Sequence, residues 1–298
     1  MKAVAPHPAL AYAVMALGAI GLTLGDFFIK KSSIDGVSIA ALLLFAWPLT
    51  AASLVLLAKL QGGIRHHLYP HAPRKLLIRA GLLLVMSVLN ISSLSLNPYG
   101  QHAMLFQLSP AFALLIGVTF LGERLTAHVV LVLLACLVGT WLILNPGLGG
   151  MAVTLLLAVA AAISNAMTNV YMASNRAAAT PIGFTFWAVN GVVLVAAAYW
   201  ILAERTLPPL SSQLWIQLSA MCAVSGIVLA SLAMQLAGSD IGRVTIMLYT
   251  QMPVALGLGW LAFCERPTIV AMLGGVLIVL AGASIPLVAV YKTERTTA

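Results

Sequence analysis

Ten apolar runs, each close to the ~20 residues that a helix needs to cross the hydrocarbon core of a bilayer, leave this chain one environment to fold in. They cover 8–29, 37–59, 76–95, 99–121, 126–145, 150–172, 181–203, 213–236, 242–263 and 267–290. The runs are continuous rather than alternating, which predicts helices and not the strands of a membrane barrel. Charged residues make up 7% of the chain, against about 25% in soluble domains. So few charges cannot cover a water-facing surface, and disorder needs more charge with less apolar content. Soluble enzymes, nucleic-acid binders and disulfide scaffolds are excluded, and the fold class is an all-α integral membrane protein with the lipid bilayer as its partner.

The gaps hold the breakers that end helices: Asp35-Gly36, Gln61-Gly62-Gly63, Asn97-Pro98, Asn145-Pro146-Gly147, Leu207-Pro208-Pro209 and Gly238-Ser239-Asp240. The net charge of +8 is spread through these gaps, where basic residues set orientation. With the N-terminus inside, the inner segments hold eleven Lys and Arg and the outer ones four: Lys30, Lys31, Arg205 and Arg266. Both termini are therefore expected in the cytoplasm. The segment from Lys59 to Arg79 carries the strongest single share of that signal, five of the eleven, and reads as a solvated inner loop, its His66, His67 and His71 included. Cys136, Cys222 and Cys264 read as packing residues. The first run is too long for a cleavable signal, and no cleavage site follows it.

The chain repeats itself. Gly100 to Glu123 reads GQHAMLFQLSPAFALLIGVTFLGE, and Gly242 to Glu265 reads GRVTIMLYTQMPVALGLGWLAFCE. Each starts on Gly, carries polar residues and a Pro in the middle, ends in Glu-Arg and precedes one more apolar run. Two five-helix units follow, 1–146 and 147–298. An odd number of spans per unit makes the units antiparallel, the inverted-repeat architecture of transporters.

With that doubled pattern the chain resembles the EamA-type members of the drug/metabolite transporter superfamily, on "LSPAFALLIGVTFLGERL" in span four and "YTQMPVALGLGWLAFCERPT" with "GGVLIVLAG" in the second half. The resemblance implies a multi-pass carrier of the bacterial inner (plasma) membrane, often an exporter of amino acids and related metabolites, sometimes an importer. Many relatives carry an Arg in span two; here the position falls on Phe45 or Ala46, so recognition of an anionic group there is not expected.

Polar side chains inside a bilayer face the bundle interior or a wet cavity. Asp26 is the one acidic residue well inside a run, and Lys30 follows one turn later on the same face. Asp26 is expected to bind a cationic group or exchange a proton, with Lys30 tuning its charge, as the coupling or gating pair. Asn90, Gln107, Asn165, Asn169, Trp187, Asn190, Tyr249 and Gln251 lie in mid-run and complete the expected substrate site. Amides there would bond a zwitterion without burying a fixed charge, or else bridge helices. Pro48, Pro110 and Pro253 can kink their helices, and Gly21 with Gly25 permits close packing. Glu123-Arg124 and Glu265-Arg266 read as helix-end caps, with gate-closing ion pairs as the alternative.

These features point to a secondary carrier and not an enzyme. There is no P-loop, HExxH or paired carboxylate, and neither a cofactor nor a metal is expected. The reading is alternating-access export of an amino acid or amino-acid-derived compound, coupled to protons or a counter-substrate, by a monomer or homodimer; import of a nucleoside-like or vitamin-like metabolite is the alternative.

Overall fold

The computed structural model describes residues 8–120, 127–144, 153–175, 178–236 and 244–297, and these are helical with no strand among them. In chain order the helices are α1 (Pro8–Ile34), α2 (Ile39–Leu60), α3 (Ile64–Leu68), α4 (Pro73–Leu96), α5 (Tyr99–Phe106), α6 (Ser109–Phe120), α7 (Ala127–Leu144), α8 (Leu156–Ser174), α9 (Pro181–Tyr199), α10 (Leu210–Leu236), α11 (Gln251–Phe263) and α12 (Ile269–Thr297). A 3₁₀ turn, Thr245–Thr250, leads into α11, and a π-turn, Trp200–Glu204, ends α9. Among the described residues, six helical segments are long and apolar enough to cross a membrane: Leu10–Ile34, Ile39–Leu60, Pro73–Leu96, Val153–Met172, Pro181–Glu204 and Leu210–Ala230.

Local chemistry sets several ends. Ser38 caps α2 by accepting from the Ala41 N–H, and Thr180 caps α9 through Gly183. Pro110 has no N–H, and its ring would meet the carbonyl four residues back. The run 99–121 therefore breaks into α5 and α6, with the Leu108 N–H bonding the Leu105 carbonyl in a tightened turn. Pro253 acts likewise, and the 3₁₀ turn precedes α11. Pro48 does not interrupt its helix: α2 runs through it.

The segment from Lys59 to Arg79 is more ordered than a solvated loop. It holds α3 and the first turns of α4, and Arg79 is buried. The His67 Nε2–H donates to the Gln61 carbonyl at 3.1 Å and Nδ1 accepts from the Thr180 hydroxyl at 3.0 Å, tying α3 to α9.

Two apolar cores flank the middle of the molecule. One joins α2, α4, α9 and α10 around Leu42, Leu43, Ala188 and Val192. The other joins α5, α6, α7, α8, α11 and α12 around Met104, Leu105, Ile143 and Ile278. Both draw helices from each sequence half, so the halves interleave. α1 closes on α10 through glycines: a Cβ on Gly226 would stand 2.7 Å from Leu22 N and 2.8 Å from Gly18 O, and one on Gly21 would stand 3.1 Å from Gly226 Cα. Backbone meets backbone there.

Candidate functional site

Between the cores lies a cavity of about 630 Å³. α1 contributes Leu22, Gly25, Asp26 and Ile29, and α4 contributes Met86 and Asn90. The break between α5 and α6 turns in Phe106, Gln107, Ser109 and Pro110. α8 adds Asn165 and Asn169, and the 3₁₀ turn with α11 adds Leu248, Tyr249 and Gln251. Both proline breaks thus open onto one space, as do the interrupted helices of transporter binding sites.

Seven of the residues singled out in the sequence meet here: Asp26, Asn90, Gln107, Asn165, Asn169, Tyr249 and Gln251. Asn90 and Asp26 line the same cavity from α4 and α1. Asn169 Nδ2 donates to Asn165 Oδ1 at 3.4 Å, and Asn165 Nδ2 donates to Ser109 Oγ at 2.9 Å. That relay crosses from α8 to α6. The Tyr249 ring lies so close to Gly282 that a Cβ at 282 would overlap its hydroxyl. Three buried polar atoms around the cavity have no partner among the described residues: Asn90 Oδ1, His102 Nε2 and Tyr249 Oη. A buried polar atom without a partner costs free energy, so a polar guest or water is the natural complement.

Two singled-out residues lie away from the lining. The Trp187 indole donates to the Leu68 carbonyl at 2.9 Å, which turns it toward α3. Asn190 spends its amide on the Phe186 carbonyl of its own helix at 2.8 Å.

Lys30 differs from expectation too. Its ammonium does not pair with Asp26. It donates to the Asn97 carbonyl at 2.6 Å and to Glu265 Oε1 at 2.7 Å, and it stands 5.0 Å from the Phe263 ring centroid. Glu265 Oε2 accepts from the Gly100 N–H at 3.2 Å, so this carboxylate caps the start of α5 rather than the helix that follows it. Glu123 and Arg124 lie outside the described residues. Around the Lys30–Glu265 pair, the Tyr99 hydroxyl donates to the Thr23 carbonyl at 2.6 Å and Asn97 Nδ2 donates to the Thr154 carbonyl at 2.8 Å. Ser212 donates to Asp35 at 3.1 Å and Ser38 to Glu204 at 2.5 Å. One end of the cavity is therefore tied shut, about one helical turn (roughly 6 Å) beyond Asp26. Asn169, elsewhere in the lining, is exposed.

Sequence reasoning missed Glu265 as the partner of Lys30 and did not single out His102. The signals were there: a lysine inside an apolar run needs a counter-charge, and a His three residues into a proline-broken helix faces its interior.

Residues 9–145 match the EamA-like transporter family. A solved structure titled "Crystal structure of protein" shares the fold, with a TM-score of 0.62 at 18% identity over 94% of this chain and 99% of that one. No curated protein matches the chain.

Proposed function

With residues 9–145 placing this chain in the EamA-like transporter family, we propose that it is a secondary carrier that moves a small polar metabolite across the bacterial inner membrane by alternating access, and that it exports an amino acid or amino-acid-derived compound. The observation that carries this is the cavity: about 630 Å³, drawn from both halves of the chain, rich in amides, holding one carboxylate, and tied shut at one end.

The lining suits a zwitterion. Asp26 attracts an ammonium group, while Gln107, Asn165, Asn169 and Gln251 offer donors and acceptors to a carboxylate without a fixed charge. Phe106 and Tyr249 give the alternative cargo, a nucleoside-like or vitamin-like compound, a surface to stack on.

Ten spans in two inverted units, 1–146 and 147–298, complete the proposal. In chain order the spans are α1, α2, α4, α5 with α6, α7, α8, α9, α10, the 3₁₀ turn with α11, and α12. Helix pairing supports this count. Shifting every span by five turns the pair α1 with α10 into α8 with α4, and α4 with α9 into α10 with α2; all four pairs are in contact. The same shift turns α1 against the 3₁₀ turn into α8 against α6, again two observed pairs, and maps α2 with α9, α5 with α11 and α7 with α12 onto themselves. A repeat with a two-fold axis in the membrane plane has this property.

In this reading Lys30 and Glu265 form the gate on the outer side, with both termini cytoplasmic, and Asp26 couples cargo to protons or to a counter-substrate. Proteoliposomes holding the purified protein test it. A mixed pool of labelled amino acids and nucleoside-like metabolites is offered with and without a pH gradient. Saturable amino-acid flux is the expected result; flux of the nucleoside-like fraction alone selects the alternative; flux of neither overturns both.

A further inference from the structure

A second, much smaller void adjoins the cavity. It is lined by Thr23, Asp26, Tyr99, His102, Ala103, Phe106, Gln251 and Ala255, and shares Asp26, Phe106 and Gln251 with the larger space. His102 is 1% exposed and lies in α5, stacked on Phe106 with ring centroids 5.8 Å apart.

Its two ring nitrogens have different surroundings. Nδ1 meets Ser93 Oγ at 2.9 Å, and Nε2 meets no partner among the described residues. Hydrogen-bond balance at Ser93 fixes the tautomer. Ser93 Oγ already accepts from Asn97 Nδ2 at 3.0 Å, and Ser93 is fully buried. Its hydroxyl hydrogen needs an acceptor, and Nδ1 is the acceptor present. The neutral ring then carries its proton on Nε2, as a donor facing the void that holds Asp26.

We propose that Asp26 and His102 form one proton-binding site, bridged by a water in this void, and that the proton bound there is the coupling ion of the carrier. The class of ligand is the proton alone. It enters from the cavity side, adds to a carboxylate oxygen of Asp26 and leaves by the same oxygen. His102 keeps both ring hydrogen bonds and acts as a positioning residue, its Nε2–H orienting the water on the carboxylate. The coupling claim rests on the carrier reading; the proton site stands on geometry.

The charged groups nearest the pair are committed elsewhere. Lys30, on α1, is held by Asn97 and Glu265, and Glu265 also caps α5. Tyr99 donates to Thr23. Further titratable side chains on the neighbouring elements are Tyr249 of the 3₁₀ turn, Cys222 of α10, Cys136 of α7 and Tyr171 of α8. α4 presents Asn90 and Ser93, with the buried Arg79 about three turns from Asn90 and four from Ser93.

The test needs no cargo. Infrared difference spectroscopy of the purified full chain across a pH series reads the carbonyl stretch of a protonated carboxylic acid. Asp26→Asn is expected to remove a titrating acid band. His102→Asn keeps an amide where Nδ1 stood and loses Nε2; it is expected to shift the band's midpoint by about one pH unit, the scale of one hydrogen bond to the charged form. His102→Gln, with an amide nitrogen reaching the Nε2 position, is expected to restore the wild-type midpoint. Titrating acid bands unchanged by Asp26→Asn, or a midpoint unmoved in His102→Asn, overturn the site. Failure of cargo flux in proteoliposomes with this titration intact overturns the carrier reading instead.

Discussion

The cavity is flanked by two helix pairs built on different principles. α1 and α10 meet through Gly18, Gly21, Gly25 and Gly226, where an added Cβ would stand 2.9, 3.1, 3.3 and 2.7 Å from the facing backbone. α4 and α8, the pair that the proposed repeat relates to them, have no such seam. α8 contains no glycine, its fully buried residues include Ala158, Ala161, Ala162 and Ala166, and the one glycine of α4, Gly81, has nothing within 4 Å. The chemistry divides the same way. The glycine seam carries the carboxylate, Asp26, while the alanine-lined pair carries amides, one of them exposed. A charge that must stand within reach of His102 needs a fixed helix beneath it, whereas amides that adapt to a guest do not.

The largest effect is expected from breaking the tight seam. Gly226→Val places methyl groups against the backbone of α1, where no side chain can move aside, and is expected to destabilise the protein by more than about 3 kcal/mol, the upper end of ordinary overpacking. Loss of the monodisperse peak in detergent, or a collapsed thermal unfolding midpoint, reads this. A near-wild-type midpoint would show that α1 and α10 can slide apart.

The second prediction concerns the closed end. Glu265→Gln leaves the Lys30 ammonium buried without its counter-charge; breaking such a pair costs about 3–5 kcal/mol. The same change also weakens the tie between α1 and α5. In a background with Cys136, Cys222 and Cys264 replaced by Ala, Ala223→Cys in the lining reports access. An impermeant thiol reagent added from the Lys30 side is expected to label it after Glu265→Gln and to leave it unlabelled with Glu265 intact. Equal labelling in both removes Lys30 and Glu265 from the gate.

The third sets the two pairs against each other in function. One proton per cargo under a one-unit pH gradient supports about tenfold accumulation, since one unit is worth 1.36 kcal/mol. Asp26→Asn is expected to bring accumulation down to the equilibrium ratio. Asn169→Ala is expected to raise the half-saturating cargo concentration severalfold and leave accumulation in place. The reverse outcome would move coupling from α1 to α8.

Most of the fold was legible because the bilayer imposes a length and an apolar composition on each span, and both are local in sequence. The breaks at Pro110 and Pro253 were legible for the same reason, since each proline acts on the carbonyl four residues back, whereas Pro48, with the same local chemistry, leaves α2 continuous. The mid-run amides at 90, 107, 165, 169 and 251 could be picked out because a polar group in hydrocarbon needs a reason. Facing was not legible. Trp187 and Asn190 have the right depth but are turned elsewhere, and a helix hydrophobic on every side has no period to show which face is inward. Pairing across 235 residues, as between Lys30 and Glu265, depends on how the halves interleave, which no local pattern encodes.

The smallest effect sharpens the comparison most. Ala162→Gly on α8 removes a methyl from a buried position and adds backbone freedom, at a cost of about 0.5–1 kcal/mol. Gly21→Ala adds one methyl to the opposite seam, 3.1 Å from the Gly226 backbone. If packing alone mattered, one change loosens and the other tightens, and both would lower the unfolding midpoint by similar small amounts. If the seam fixes Asp26 against His102, the two diverge in function. Gly21→Ala is expected to disturb proton-driven accumulation at nearly unchanged stability, because it pushes α1 off α10 one turn from the carboxylate. Ala162→Gly is expected to leave accumulation intact. Measuring the midpoint and the accumulation ratio on the same two preparations separates a seam that merely holds the protein together from one that also places its charge.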